Sequence, residues 1–177
     1  MKISNFQFPI SKQGFTLLET LVSLFILSIA ITGAFSVISF NVGNANLIKN
    51  NFIASGLAQE GAEVVRNLRD TDWFAERTFG AFGNPDGTAL PNGIYQVQWN
   101  SNTLIANPSN PPLNKTTEGF YTYDDGFPTI FQRAIEIKSV VPSSGPVIEI
   151  IATVRITWQE RGGQKEIEAE QHLFNWY

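Results

Sequence analysis

The sequence contains no cysteine and a single histidine, His172. Without cysteine the chain forms neither disulfides nor thiolate metal sites, so packing alone must hold its folded part together. Hydrolases need a nucleophile with a base, or a metal cluster, and one histidine near the end of the chain supplies neither. Glycine-rich phosphate-binding loops are also missing. The composition therefore predicts a protein that is not an enzyme and that binds no cofactor or metal.

Basic residues are scarce outside the amino terminus. The chain has 12 lysine and arginine residues against 16 acidic ones, and Lys2 and Lys12 both lie in the first 14 residues, which contain no acid. The rest of the chain is therefore distinctly acidic. Because proteins bind nucleic acids largely through positive charge, this balance argues against nucleic acid as a partner.

Charge is absent from one long segment. No charged side chain occurs between Glu19 and Lys49, and the apolar stretch from Phe15 to about Phe40 has 26 residues. A helix needs about 20 residues to cross the hydrocarbon core of a membrane, so this stretch is long enough. Basic residues precede it and none follows closely, which predicts a cytoplasmic amino terminus and a carboxy-terminal domain outside.

Two ordinary interpretations of this amino terminus are a secretory signal peptide and a simple signal anchor. A secretory signal is cut after small residues beyond its apolar region, and Ser28-Ile29-Ala30 fits that pattern loosely. Such a cut would discard most of the helix and leave Glu19 without a purpose. A lone charged residue in a spanning segment costs about 2.5–3.5 kcal/mol at mid-membrane and usually marks function. Glu19 therefore favours a different kind of signal.

The residues around Glu19 form a contiguous motif. The sequence from Lys12 to Val22, KQGFTLLETLV, resembles the prepilin processing motif of type IV pilins and type II secretion pseudopilins. The resemblance implies that a membrane-embedded aspartyl peptidase cuts between Gly14 and Phe15 on the cytoplasmic side and methylates Phe15. It also implies that Glu19, five residues past the cut, acts in filament assembly.

Physical reasons support these assignments. Glycine at the cut lets an extended backbone enter a tight peptidase cleft, and an anchor that begins at Phe15 survives its own cleavage. The freed amine of Phe15 is cationic and remains so after methylation. Glu19 of an incoming subunit can pair with the amine of a subunit already in place, which offsets the desolvation of both groups and fixes the axial register. An alternative is that Glu19 only stabilises the first helical turn through the helix dipole.

Helical spacing continues beyond the apolar stretch. Apolar residues recur every three to five positions with charged residues mostly elsewhere, which predicts an amphipathic extension over residues 41–72 that ends near Asp70-Thr71-Asp72. Its apolar positions are Leu47, Ile48, Phe52, Leu57, Gly61, Val64, Val65 and Leu68. The segment from Leu57 to Asp70 also resembles the second half of the long helix in the minor pilin V and pseudopilin I group.

Four segments alternate apolar and polar residues with the period of a β-strand. The first runs from Tyr95 to Trp99, and three longer ones follow in the last third of the chain, with a Gly162-Gly163 turn before the fourth. The apolar faces of the longer three contain Phe131, Arg133, Ile135 and Ile137; Ile148, Ile150, Ala152, Val154, Ile156 and Trp158; and Ile167, Ala169 and Leu173. These segments predict an antiparallel meander of about four strands.

Glycine, proline and asparagine are concentrated in residues 73–92 and 100–130, which predicts turns and loops. Asp124-Asp125-Gly126 lacks the spaced oxygens of a recognised calcium loop, so a polar turn is favoured. Tyr121, Tyr123 and Phe127 are candidates for ligand recognition in this region.

The predicted fold class is α+β and pilin-like. A long amino-terminal helix, with a membrane-spanning half and an amphipathic half, packs on a carboxy-terminal antiparallel sheet. The predicted division is a leader removed on maturation, a transmembrane and filament-core helix, an amphipathic helical half, and a globular β-rich extracytoplasmic domain. Their ranges are 1–14, 15–40, 41–72 and 73–177.

The leading functional prediction is a structural subunit, a minor pilin or pseudopilin, of a type IV pilus or type II secretion-like filament. The resemblance implies that its partners are other such subunits, a prepilin peptidase and methylase, an assembly platform protein with its ATPase, and lipid. The subunit would be held in the cytoplasmic membrane before it enters a surface or periplasmic filament. The alternative is a recognition module, an adhesin or ligand-binding minor pilin, for which the helix is only a carrier.

Overall fold

The structure is a computed structural model and describes residues 14, 16–107, 109–143, 145–160 and 162–175. Two units, Met1–Asn46 and Leu47–Tyr177, are distinguished by their contacts and are described separately. The elements in chain order are α1 (Leu17–Phe74), β1 (Gly93–Gln96), β2 (Ile105–Ala106), β3 (Pro112–Lys115), β4 (Tyr121–Thr122), β5 (Phe127–Val140), β6 (Glu149–Glu160) and β7 (Gly163–Phe174). The helix ends two residues beyond the predicted Asp72.

The described part of the first unit is mainly the beginning of α1. Its large apolar side chains, from Leu17 to Val42, are between 46 and 83 % exposed. By length and composition α1 is sufficient to cross a membrane, with a mean hydropathy of 2.4 over an 18-residue window. A surface of this kind is stable against lipid or against other apolar helices, but not against water.

In the second unit, one face of α1 packs against the sheet. The buried residues of this face are Ala54, Leu57, Ala58, Gly61, Val65, Leu68 and Asp72. This packing confirms the predicted α+β arrangement of a long helix on an antiparallel sheet. The buried face differs from the predicted one at Ile48 and Phe52, which are 66 and 81 % exposed. Ala54 and Ala58 are buried instead, because small side chains let the helix backbone approach the sheet.

Gly61 lies where α1 comes close to β6. A Cβ atom at this position would lie only 2.8 Å from Cγ1 of Val154, whereas a Cβ at Gly56 would meet no atom within 4 Å. The two glycines therefore differ in purpose. Gly61 permits close helix-to-sheet packing, which the sequence pattern registered only as an apolar position.

Within the described residues seven strands form one antiparallel sheet, with β5 as its central and longest strand. β5 pairs with β6 on one side and with both β1 and β3 on the other, while β7 pairs with β6. The four predicted strands are thus neighbours in the order β1-β5-β6-β7, as expected for the meander. The predicted count of about four was too low, because β2, β3 and β4 are only two to four residues long. Unlike the segment of β1, these short strands belong to no sustained alternation of apolar and polar residues.

The strand register brings the predicted apolar faces together. Ile135 of β5 lies opposite Val154 of β6, which in turn lies opposite Ala169 of β7. With the buried face of α1 these residues belong to or pack against a single core. Two positions predicted on the buried face of the sheet are wrong: Trp99 lies beyond the end of β1, Ile148 precedes β6, and each is 48 % exposed.

Candidate functional site

The candidate processing and assembly site includes Gly14, Thr16 and Glu19, while Phe15 lies outside the described residues. Gly14 is exposed and belongs to no regular element. A Cβ placed there would meet no atom within 4 Å. Gly14 therefore offers backbone that the rest of the described chain does not enclose, as a peptidase substrate requires.

Thr16 caps the first turn of α1. Its carbonyl oxygen accepts a hydrogen bond from the Thr20 amide at 3.1 Å, and its Oγ1 accepts one from the Glu19 amide at 3.3 Å. Thr16 and Glu19 therefore occupy the two positions of a capping box. The Thr-x-x-Glu spacing is the sequence signal for this cap. The alternative prediction for Glu19 named only the helix dipole and did not include Thr16.

The side chain of Glu19 emerges from an apolar surface. It is exposed in the first turn of α1, where the helix dipole favours negative charge. The neighbouring Leu17 and Leu18 are 83 and 74 % exposed. No cation among the described residues forms an ion pair with Glu19. In an apolar surrounding this carboxylate would need a cation from another molecule or from outside the described residues.

Four hydroxyl groups in the apolar stretch are bonded within the helix. Thr20, Ser23, Ser28 and Thr32 donate to carbonyl oxygens three or four residues earlier, at distances between 2.5 and 2.8 Å. Such bonds satisfy the hydroxyl donors without any outside partner. These residues are therefore compatible with lipid, and Glu19 is the group that distinguishes the start of the helix.

A second candidate site lies in the loop region of the second unit. The rings of Trp99 and Phe120 stack with their centroids 4.9 Å apart and an interplanar angle of 26°. The two residues are 48 and 49 % exposed. They line a groove of about 390 Å³ together with Asn100, Thr116, Glu118, Thr122, Asp124 and Asp125. We call this the aromatic groove.

The aromatic residues predicted from sequence to recognise a ligand are not all exposed on the surface. Tyr121 packs edge-on against Phe131, and the hydroxyl of Tyr123 donates to the carbonyl oxygen of Arg133 at 2.8 Å. Burial raises the pKa of both tyrosines. Phe127 is 70 % exposed. The two tyrosines therefore serve the core, and Trp99 was missed because strand alternation assigned it to a buried face.

The side chain of Gln98 joins the two loops of the groove. Its Oε1 accepts hydrogen bonds from Thr122 Oγ1 at 2.7 Å and from the Tyr123 amide at 2.9 Å, and its Nε2 donates to Asp124 Oδ2 at 2.7 Å. Asp124 is thus held in a hydrogen-bonded turn. Within the described residues no three His, Asp or Glu side chains are placed to share a metal ion.

A second cavity, of about 260 Å³, lies near the end of α1 and is lined by residues that include Arg69, Trp73 and Phe174. Asp72 borders it as a buried carboxylate, which accepts hydrogen bonds from Arg77 Nη1 at 3.1 Å and from the Gly83 amide at 3.0 Å. These bonds fasten the chain that follows α1 to the helix end. The role of Asp72 is therefore structural.

One family model matches part of the chain. Residues 10–35, which include Gly14, Phe15 and Glu19, match the family model described as the prokaryotic N-terminal methylation motif. Neither a curated protein nor a solved structure matches the chain. The match supports a type IV pilin-like structural subunit that prepilin peptidase processes. Together with the apolar start of α1, it indicates a membrane anchor.

Proposed function

We propose that the protein is a minor pilin or pseudopilin of a type IV pilus or type II secretion-like filament. In this proposal the leader, residues 1–14, is removed after Gly14 and the new amino terminus at Phe15 is methylated. The single observation that carries it is the methylation motif over residues 10–35, which runs directly into an apolar helix. The resemblance of Leu57–Asp70 to the minor pilin V and pseudopilin I group supports a minor rather than a major subunit.

The apolar start of α1 has two successive surroundings in this proposal. Before assembly, residues 15–40 span the cytoplasmic membrane with the globular domain, residues 73–177, outside. A platform protein and its ATPase then extract the helix, and equivalent helices of neighbouring subunits replace the lipid. Removal of apolar surface from water contributes about 25 cal/mol per Å², whether lipid or neighbouring helices cover the surface. The exchange is therefore feasible only if the helices pack closely enough to replace the lipid.

Glu19 guides that exchange by electrostatic pairing. Its carboxylate pairs with the methylated amine of Phe15 on a neighbouring subunit, and neither charge then remains alone among apolar helices. Because the pair forms at one axial offset between subunits, it sets the register of the filament. The cap from Thr16 stabilises the helical turn that carries the carboxylate.

Mass spectrometry of the chain purified from membranes tests the proposal. The expected mass is that of a chain that begins at N-methylated Phe15. Gly14→Val should leave the leader attached, because a branched side chain blocks the extended backbone at the cut. Gly33→Val is the matched control, since a Cβ at Gly33 also meets no atom within 4 Å, and this variant should be processed normally. A wild-type chain that retains its leader, or that begins after Ala30, would refute the proposal.

The second candidate function is recognition by the globular domain. It is favoured by the aromatic groove, where two half-exposed rings stack beside carboxylates. Aromatic side chains exposed in a concave, polar-rimmed surface are typical of binding sites. Both functions can belong to one subunit, with α1 as the carrier.

A further inference from the structure

We propose that the aromatic groove binds an arginine side chain presented by a different protein. This goes beyond filament assembly through α1, which uses neither Trp99 nor Phe120. The proposal rests on the rings, on the charge around them and on the pairing of the chain's own arginines.

The stacked rings make the first contribution to binding of the arginine side chain. The face of an aromatic ring carries negative electrostatic potential and attracts a cation within about 6 Å of its centre. A guanidinium group also stacks flat on such a face, which an ammonium group does not. Trp99 and Phe120 are half exposed, so ring surface remains available to a ligand.

The groove carries negative charge without a matching cation. Glu118, Asp124 and Asp125 line it, and none of them forms a salt bridge with any described residue. Hydrogen bonds, chiefly from Thr117, lower the pKa of Glu118, so it is ionised at neutral pH. Lys115 lies above the ring of Tyr121, 5.8 Å from its centroid, where it neutralises none of these carboxylates by direct contact.

The groove is also held in shape before any ligand arrives. Gln98 connects the loop of Trp99 to Asp124, as described above. On the other side, the Thr116 amide donates to the Phe120 carbonyl at 2.9 Å, and the Phe120 amide donates to Thr116 Oγ1 at 3.2 Å. A site fixed in advance loses less conformational entropy on binding.

Among the arginines that the structure describes, none is left unpaired to enter the groove of a second copy. Every arginine that the structure describes already lies within salt-bridge distance of a carboxylate of its own chain: Arg66, Arg69, Arg77, Arg133 and Arg155. The acidic surplus of the chain adds repulsion between copies. The acidic surplus therefore favours a different, basic protein as the complementary partner.

The test uses the full chain in a non-ionic detergent, with its four tryptophans replaced by 5-fluorotryptophan. Acetylated tetra-arginine amide should shift the fluorine resonance of Trp99 saturably, and acetylated tetralysine amide should bind more weakly. The resonance of Trp158, which is 2 % exposed, should stay in place and reports that the fold is intact. Trp73, which is 53 % exposed and packs edge-on against Phe74, controls for nonspecific contact with an exposed indole.

Two variants sharpen the test. The double change Glu118→Gln and Asp125→Asn should weaken tetra-arginine binding roughly fivefold to tenfold, because it removes two charges and keeps both side-chain shapes. Asp86→Asn, an exposed carboxylate outside the groove, should leave binding unchanged.

Several outcomes would overturn the inference. They are an unmoved Trp99 resonance, equal responses to tetra-arginine and tetralysine, and undiminished binding by the double variant. A response to chitobiose without a response to tetra-arginine would assign the groove to sugars instead. Because none of these measurements involves a filament or the leader, failure here leaves the proposed assembly function standing.

Discussion

Arg133 of β5 and Glu60 of α1 form an ion pair in which Nη1 lies 2.9 Å from Oε1, with the arginine side chain fully buried and that of the glutamate one-third exposed. Nη2 donates to the carbonyl oxygen of Val97 at 2.6 Å, and Nη1 lies 3.3 Å from that of Leu57. The Arg133 side chain thus donates to carbonyl oxygens both on α1 and in the segment that follows β1. A buried guanidinium is stable only with such partners.

Arg133→Met should destabilise the second unit by about 2–4 kcal/mol, because it removes the donor to Val97 and leaves Glu60 without its cation. The expected loss of stability is smaller than for a fully buried ion pair, because the Glu60 side chain is partly exposed and can be hydrated. Urea unfolding of the detergent-solubilised chain, followed by near-ultraviolet circular dichroism, measures the loss. Arg155→Met is the control: its pairs with Glu166 and Glu168 are exposed and should contribute at most about 1 kcal/mol. Equal losses in both variants would contradict the assigned role of Arg133.

Gly61→Ala and Gly56→Ala should have opposite effects on stability. Alanine at Gly56 meets open space and should stabilise the helix by about 0.5–1 kcal/mol. Alanine at Gly61 would press against Val154 and should cost about 1–3 kcal/mol through strain. The same urea experiment compares the two. Addition of Val154→Ala to Gly61→Ala should recover part of the loss, and no recovery would show that the close approach to β6 is not its cause.

His172 should make stability depend on pH. Its ring nitrogens hydrogen-bond to Glu149 and Glu170, and these bonds, that to Glu149 first, raise the pKa of His172. The folded state therefore binds the proton more tightly than the unfolded state. The stabilisation is fully present below the unfolded pKa of about 6.5 and is lost as pH rises through the folded pKa.

The measurement compares wild type with His172→Gln by urea unfolding between about pH 5.5 and 9. The stability difference in favour of wild type should be largest at the acidic end and should vanish at the alkaline end. Glu149→Gln should flatten this dependence more than Glu170→Gln does. A difference that grows with rising pH would have the wrong sign for this arrangement.

The longer strands were predictable because their alternation extends over many residues with one face buried. Val154, between Ile135 and Ala169, is an example. Trp99 was placed wrongly because β1 ends at Gln96 and the Ser101 amide bonds back to the Gln98 carbonyl at 3.0 Å, which turns the chain. The alternation continues for three residues beyond β1 and does not reveal that turn.

Other features depend on partners distant in the sequence. β2 exists because Ala106 lies opposite Tyr95, and Asp72 is buried because the Gly83 amide reaches it. No local pattern contains such pairings. The cap of Thr16 on α1 is different, since both of its residues lie within one turn and the spacing alone indicates it.

Two changes at the start of α1 separate the charge of Glu19 from the cap that holds its turn. Glu19→Gln removes the charge, while glutamine remains acceptable in a capping box. Thr16→Ala removes the hydroxyl acceptor but keeps the carboxylate, and should weaken the helix start by about 1 kcal/mol. Mass spectrometry should first establish that both variants are processed and methylated.

If the charge of Glu19 pairs with the amine of a neighbouring subunit, Glu19→Gln should remain in the membrane while Thr16→Ala enters filaments at close to the wild-type level. Quantitative immunoblots of sheared filaments and membranes give the ratio. Glu63→Gln, an exposed acid on the same helix but outside its apolar start, should behave as wild type. Filament entry of Glu19→Gln at the wild-type level would refute the pairing role of the charge. An equal failure of Thr16→Ala would mean that assembly requires the helix cap as well.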